Sequence, residues 1–381
     1  MQHPSIAIIG AGPAGLTAAN ILHRAGCGVE VFEGDASLTA RDQGGTLDLH
    51  PDSGQLALVK AGLLDDFLAQ ARHEGQEQRV ADYATGARLR EEIPEVGTGD
   101  RPEIDRVLLR QLLLRPLPDE LVHWGVRVEA VTALADGRHE LRLNTGAVGP
   151  FDLVIGADGA WSKVRAALTE AQPVYSGVTF VELWLNDVDA RHPELARLVG
   201  HGSMYALHGG AGIIGQRNGG GTVRVYAAFR TRPEETDRPD RVLAEITKTE
   251  LLERFTGWAP SLTALITDAD RVAAVRPIIA LPTETLRWEQ RDGLTLVGDA
   301  AHVMPPMGVG VNLAMLDAAE LAEGLVAAKD WRLAVRDYED VMLARAAETA
   351  VECNQAFADW FAADGEQALL DDMEARKEAA A

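Results

Sequence analysis

The stretch Ser5-Ile6-Ala7-Ile8-Ile9-Gly10-Ala11-Gly12-Pro13-Ala14-Gly15 decides the fold. Its first five residues form a short apolar run suited to a strand buried on both faces of a parallel sheet. A glycine-rich turn over 10–15 follows, then a helical pattern over 16–25, apolar at 18, 21, 22 and 25 and stopped by Gly26. Val29-Glu30-Val31-Phe32 reads as a second strand ending at Glu33. Strand, turn, helix and strand in this order open a doubly wound, Rossmann-like α/β sheet. Gly10 permits the tight turn, Gly12 lets the backbone approach a pyrophosphate, and Gly15 lets helix and strand close up, with Pro13 and Ala14 of the same turn also candidate cofactor contacts. Phosphates then meet free N–H groups at the positive helix end. Glu33, eighteen residues past Gly15, is placed to accept hydrogen bonds from ribose hydroxyls. A carboxylate there repels a 2′-phosphate, so the resident nucleotide is expected to be FAD or NAD rather than NADP.

Working outward, 106–114 is predicted to be a helix capped by Asp105, and 151–155 a buried strand running into Gly156-Ala157-Asp158-Gly159. A strand over 294–297 leads through Gly298-Asp299 to a helix from about 312 to 328, in which Asp317, Glu320 and Glu323 read as a solvated stripe. Between 172 and 290 the texture changes. Segments 177–188, 203–217 and 222–230 are β-rich, and Val223/Val225 alternating with Arg224/Tyr226 gives a strand two different faces. The expected organisation is a nucleotide-binding domain from 1–68, 104–171 and 291–330. An antiparallel β-sheet substrate domain from 69–103 and 172–290 is inserted in it, and a long C-terminal bridging helix with a frayed acidic tail covers 331–381.

Composition narrows the partners. The 381 residues carry 36 Lys+Arg against 58 Asp+Glu, a net charge of −22. Phosphates are repelled at long range by such a surface, which argues against nucleic acid or an anionic membrane as the main partner. Cys27 and Cys353 are too few for a disulfide framework or a zinc site and fit a reducing compartment. No run approaches the ~18 apolar residues of a membrane span, and the N-terminus lacks a signal-peptide pattern. A cytoplasmic monomer without a metal site is expected.

Two distant stretches make the reading specific. Asp158-Gly159-Ala160-Trp161-Ser162-Lys163-Val164-Arg165 and Gly298-Asp299-Ala300-Ala301-His302, taken with the glycine fingerprint, resemble the single-component, class A flavoprotein monooxygenases of the aromatic-hydroxylase type. The resemblance implies bound FAD, with Asp299 on its ribityl and pyrophosphate part and Arg106 also reaching it. It associates Asp158-Gly159 with both FAD and NAD(P)H. Gly44-Gly45-Thr46-Leu47-Asp48-Leu49-His50, Ser53-Gly54-Gln55, Pro102-Glu103-Ile104 and His302-Val303-Met304-Pro305-Pro306 are similar, within that class, to the tetracycline-inactivating flavin monooxygenases. By that likeness Asp48 is a cofactor contact and Arg41 holds the isoalloxazine from its outer side. The chain departs at Gly34, where those enzymes carry Arg. It also departs at Glu182, Ser203 and Arg224, where they carry Gln, Arg and His for the drug's polar edge.

What the resemblance implies is hydroxylation of a polycyclic phenol or enol through a flavin hydroperoxide, with NADPH or NADH as transient reductant and tetracycline the leading substrate. The alternatives are a tailoring hydroxylase of another polyketide or aromatic compound, or a flavin-binding protein that does not turn over. The flavin carries the chemistry, so no catalytic side chain is expected. Pro306, Gly310, Val311 and Asn312 complete the cofactor set, the helix near Asn312 turning its positive end toward the N1–C2=O edge. Glu182, Tyr205, Arg224, Tyr226, Pro306, Met307 and Gly308 are the candidate substrate contacts, Arg224 either pairing with an anionic substrate or serving Glu182. His302 is expected to be structural, His50 to hydrogen-bond within its loop, and Trp360-Phe361 to dock the last helix.

Overall fold

Ile6–Ile9 is buried along its whole length and pairs in parallel with Leu153–Gly156 on one side and Val29–Glu33 on the other. Leu294–Leu296 and Val122–Trp124 complete a five-stranded parallel sheet in the order 294–296, 153–156, 6–9, 29–33, 122–124. These contacts come from a computed structural model that describes residues 4–40, 44–95, 99–232, 241 and 243–379. Ile8, Val31, Leu153, Val154, Ile155 and Leu296 are wholly shielded from solvent, as strands covered on both faces must be. The chain divides into two units, the first comprising Met1–Ala71, Arg106–Val174 and Ala280–Glu352. In it the helix Pro13–Arg24 packs along Gly310–Ala327, which starts two residues before the expected boundary. An antiparallel three-stranded sheet over Val128–Ala133, His139–Leu143 and Gly146–Phe151, unseen in the sequence, lies in this unit.

The second unit comprises Arg72–Asp105, Tyr175–Ile279 and Cys353–Ala381. Its seven-stranded sheet runs 271–280, 174–185, 223–230, 211–217, 203–208, 78–81, 88–92, and from 174–185 onward it is antiparallel apart from the pairing of 203–208 with 78–81. Val181, Leu183, Leu185, Val223, Val225, Ala227, Met204 and Ala206 face one side and form a core with Leu195, Val199, Leu251, Phe255, Leu262, Leu265 and Ile266. Strand periodicity puts Glu182, Trp184, Arg224 and Tyr226 on the other side. The last part of the helix Trp331–Trp360 covers a portion of that face, Phe357 and Phe361 meeting Phe180, and Phe180 meeting Tyr226. The acidic tail is a correction. It is not frayed but forms the helix Gly365–Ala379, whose Leu369 and Met373 bury Val80 and Leu207. Acidic composition hid a period of four that brings two apolar side chains to one face. Among the described residues no helix is long and apolar enough to cross a membrane.

Candidate active site

Because the strands of the first unit's sheet are parallel and in register, the loops after 6–9, 153–156 and 294–296 leave from the same edge, Ile9 opposite Gly156 and Gly156 opposite Leu296. Such an edge is where open α/β sheets bind ligands. Gly10 has φ +108°, and a β-carbon there would collide with the carbonyl of Ala157; one at Gly15 would collide with the carbonyl of Gly10. At Gly12 nothing lies within 4 Å of that position, so the turn has open space where a pyrophosphate would approach. The helix Pro13–Arg24 has Gly12 as N-cap, Pro13 in its first turn, no acid there and no side-chain cap, which leaves N–H donors for a phosphate. A dinucleotide's anionic centre fits this cradle.

Glu33 stands at the end of its strand. Its Oε2 accepts from the Ala11 N–H at 2.7 Å and from Arg110 at 3.0 Å, and its Oε1 from the Asp35 N–H at 2.8 Å. Arg110, missed in the sequence, is 2 % exposed and donates through Nε to the Ala11 carbonyl at 2.6 Å and through Nη1 to Asp35 at 3.2 Å. One guanidinium therefore locks the glycine turn to the ribose acid. The only clue was a charge four residues after Arg106 on an apolar helix. Arg106 itself is half-buried, its backbone N–H on the Gly45 carbonyl at 3.2 Å and its side chain beside Gly44. Arg41 lies outside the described residues.

Asp158 is largely taken up by its own loop. Its oxygens accept from the Ser162 hydroxyl and the N–H groups of Lys163 and Val164, while burial pushes its pKa up against those hydrogen bonds. Arg165, 1 % exposed, donates to the carbonyls of Ala160, Ala171 and Ala300 and so ties this loop to the one after 294–296. Asp299 differs. It is exposed between buried Gly298 and Ala300, and its carboxylate has no hydrogen-bond or ion-pair partner among the described residues.

The loop 303–309 leads into Gly310–Ala327. Pro306 and Gly308 are exposed, whereas Met307 is 8 % exposed and belongs with the core. Gly310, Val311 and Asn312 form the uncapped first turn of that helix. The Asn312 side chain is 2 % exposed and fully engaged. Its Oδ1 accepts from the N–H groups of His50 at 2.8 Å and Gly54 at 3.2 Å, and its Nδ2 donates to the carbonyls of Asp48 at 2.9 Å and Gly308 at 3.3 Å. It clamps the 48–54 segment to the helix start, and His50 in turn bonds Asp48 at 2.9 Å. Behind the loop His302 contacts Asp317 at 2.6 Å, and Arg345 contacts the other Asp317 oxygen at 2.8 Å. Burial alone would lower the His302 pKa, but Asp317 outweighs it and holds the imidazole above its ordinary value. Asp317, 1 % exposed, is thus no part of a solvated stripe; Glu320 pairs with Arg345 and Glu323 with Lys60.

In the second unit Glu182 is fully buried. Its Oε1 accepts from Trp184 Nε1 at 2.9 Å and from Arg224, its Oε2 from Arg276 at 2.6 Å. Arg224 bonds Glu182, one of the two roles open to it. Half-buried Tyr205 packs edge-on against half-buried Trp360 at 5.8 Å, and half-buried Tyr226 lies 6.0 Å from Phe180. Asp105 is not the helix cap; its carboxylate accepts from Arg72 and from the Gly219 N–H.

A doubly wound parallel sheet with an uncapped glycine cradle, in a chain that also carries a unit built on a largely antiparallel sheet, fits a dinucleotide-binding protein. Residues 4–334 match the FAD binding domain family, and the chain belongs to it. Across 88 % of its length it is 33 % identical to the monooxygenase penA of Penicillium thymicola, covering 88 % of that protein, and across 84 % it is 32 % identical to the monooxygenase asqM of Emericella nidulans, covering 83 %. Klebsiella pneumoniae HpxO, solved with FAD and uric acid, superposes with a TM-score of 0.79 at 22 % identity, over 98 % of this chain and 92 % of that one. The tetracycline destructase Tet(55) superposes with a TM-score of 0.71 at 24 % identity, over 94 % and 89 %. The protein is a flavin-dependent monooxygenase of class A with FAD as its cofactor.

Proposed function

We propose that the enzyme hydroxylates an aromatic or polycyclic phenol or enol at the expense of NAD(P)H and O₂. The observation that carries this reading is the cradle at one sheet edge, open at Gly12 and with the unpartnered carboxylate of Asp299 two strands away. Bound FAD supplies the transfer of electrons from the nicotinamide and the activation of oxygen. The chain's own part is binding and orientation. N–H groups at the start of Pro13–Arg24 hold the pyrophosphate, Glu33 accepts from the ribose, and Asp299 accepts from hydroxyls of the ribityl chain. The uncapped N–H groups of Gly310, Val311 and Asn312 form a positive end suited to anionic charge on the reduced ring system. Exposed Pro306 and Gly308 border that end.

Tetracycline is one member of this substrate class. The 44–50 and 302–306 stretches favour it. Glu182 and Arg224, which stand where those enzymes contact the drug, instead bond each other here, which favours another polyketide or aromatic. The test is consumption of NADH and NADPH by FAD-loaded enzyme, with and without tetracycline and a panel of phenols and enols. Stimulation by one or more of these, with a product one oxygen heavier, is the expected result. Bound FAD with no stimulation across the panel overturns the reading in favour of a protein that only binds flavin.

A further inference from the structure

Around Glu182 the second unit gathers several arginines. Arg224 and Arg276 both bond this one buried carboxylate. Arg224 also lies over the Trp184 ring at 4.1 Å, and Arg271 lies over the same ring at 4.0 Å. Two guanidinium groups thus share one carboxylate, and a third, that of Arg271, lies over the ring that the carboxylate holds. Asp270, next to Arg271 in the chain, has its oxygens held by Asn186 and Arg191. Arg271 has no acidic partner among the described residues. Arg276 uses Nε on Glu182, and its side chain is 45 % exposed. Its two terminal nitrogens form a planar fork without an acceptor among the described residues, the geometry that matches a two-oxygen anion. The cluster lies on the sheet face opposite the apolar core, toward the 174–185 and 271–280 edge, whereas the aromatic residues of the C-terminal helix meet Phe180 on that face.

We infer that Arg276, with Arg271 beside Trp184, is a specificity subsite for substrates bearing an oxygen anion shared between two oxygens, a carboxylate or an ionised β-dicarbonyl enol. Glu182 fixes Arg276 at Nε and leaves its outer fork for the ligand, while Trp184, held by its own bond to Glu182, carries Arg271 over its ring. The inference rests on the proposed hydroxylase reading and names its substrate class. Arg224, the arginine singled out in the sequence, is committed to Glu182 and serves as a positioning residue.

The test uses full-length FAD-loaded enzyme and two probes, 1-hydroxy-2-naphthoate and its carboxamide, with binding read from the flavin absorbance change and turnover from NADH oxidation. The anion is expected to bind at least tenfold more tightly than the amide. Arg276→Ala is expected to erase that preference, Arg276→Lys to keep part of it, and Arg271→Gln, which breaks no ion pair, to reduce it severalfold. Equal affinity for anion and amide, or a preference that survives both Arg276→Ala and Arg271→Gln, overturns the inference. So does NADH oxidation driven by neutral aromatics alone, which leaves the hydroxylase reading standing. Failure of any phenol or enol to stimulate removes both.

Discussion

Arg110 and Glu339 bear different kinds of weight. Arg110 is a buried cation whose partners, Glu33, Asp35 and the Ala11 carbonyl, all belong to the cradle. Replacing it by Met leaves Glu33 without its counter-charge, and breaking a buried pair in this way costs about 3 kcal/mol. The expected outcome for Arg110→Met is a urea midpoint lowered accordingly and an FAD dissociation constant raised at least tenfold; unchanged flavin affinity would show that Arg110 does not organise the site. Glu339 is wholly buried. Its Oε1 accepts from Thr295 at 2.8 Å and Trp288 at 3.3 Å, its Oε2 has no partner, and burial pushes its pKa up to about 7 against those hydrogen bonds. The folded state therefore holds this proton more tightly than the unfolded chain. Stability is greatest below the ordinary Glu range and falls as pH rises through about 7. Glu339→Gln removes the cost of ionisation, so melting curves from pH 5 to 9 are expected to show wild type losing up to about 3 kcal/mol relative to the variant. Parallel curves would contradict the assignment.

Among the elements, the helix Gly310–Ala327 does the most joining, and its first turn depends on Asn312. Asn312→Ala leaves the buried N–H groups of His50 and Gly54 and the Asp48 carbonyl without partners, at roughly 2–4 kcal/mol. Thermal unfolding is expected to drop by that amount, and Asn312→Asp, which keeps the acceptor and loses the donors, to fall between the two. Equal stability of all three would show the clamp to be idle. This residue also shows what a sequence yields. Periodicity and glycine placement made the cradle, the parallel strands and the two-faced strand 223–230 legible, because each is a local pattern repeated at a fixed spacing. The Asn312 clamp spans 258 to 264 positions along the chain, and the Glu182 cluster 42 to 94, so nothing local announces either. Asp317 was misread for the same reason. Helical spacing put it in line with Glu320 and Glu323, and only the distant Arg345, with His302 beneath it, makes burial of its charge tolerable.

For the whole molecule, the family match over residues 4–334 takes in the uncapped turn with its open space at Gly12, so likeness and local geometry point to the same nucleotide site. Glu182, Ser203 and Arg224 stand where the resemblance to the tetracycline enzymes implies Gln, Arg and His, and this favours another substrate within the proposed class. The measurement closest to the central claim is the mass of the product formed under ¹⁸O₂ with NADH and the best stimulating phenol or enol. The expected result is one labelled oxygen per product molecule, matched by one NADH consumed. NADH oxidation that yields hydrogen peroxide and leaves every tested compound unlabelled would contradict it.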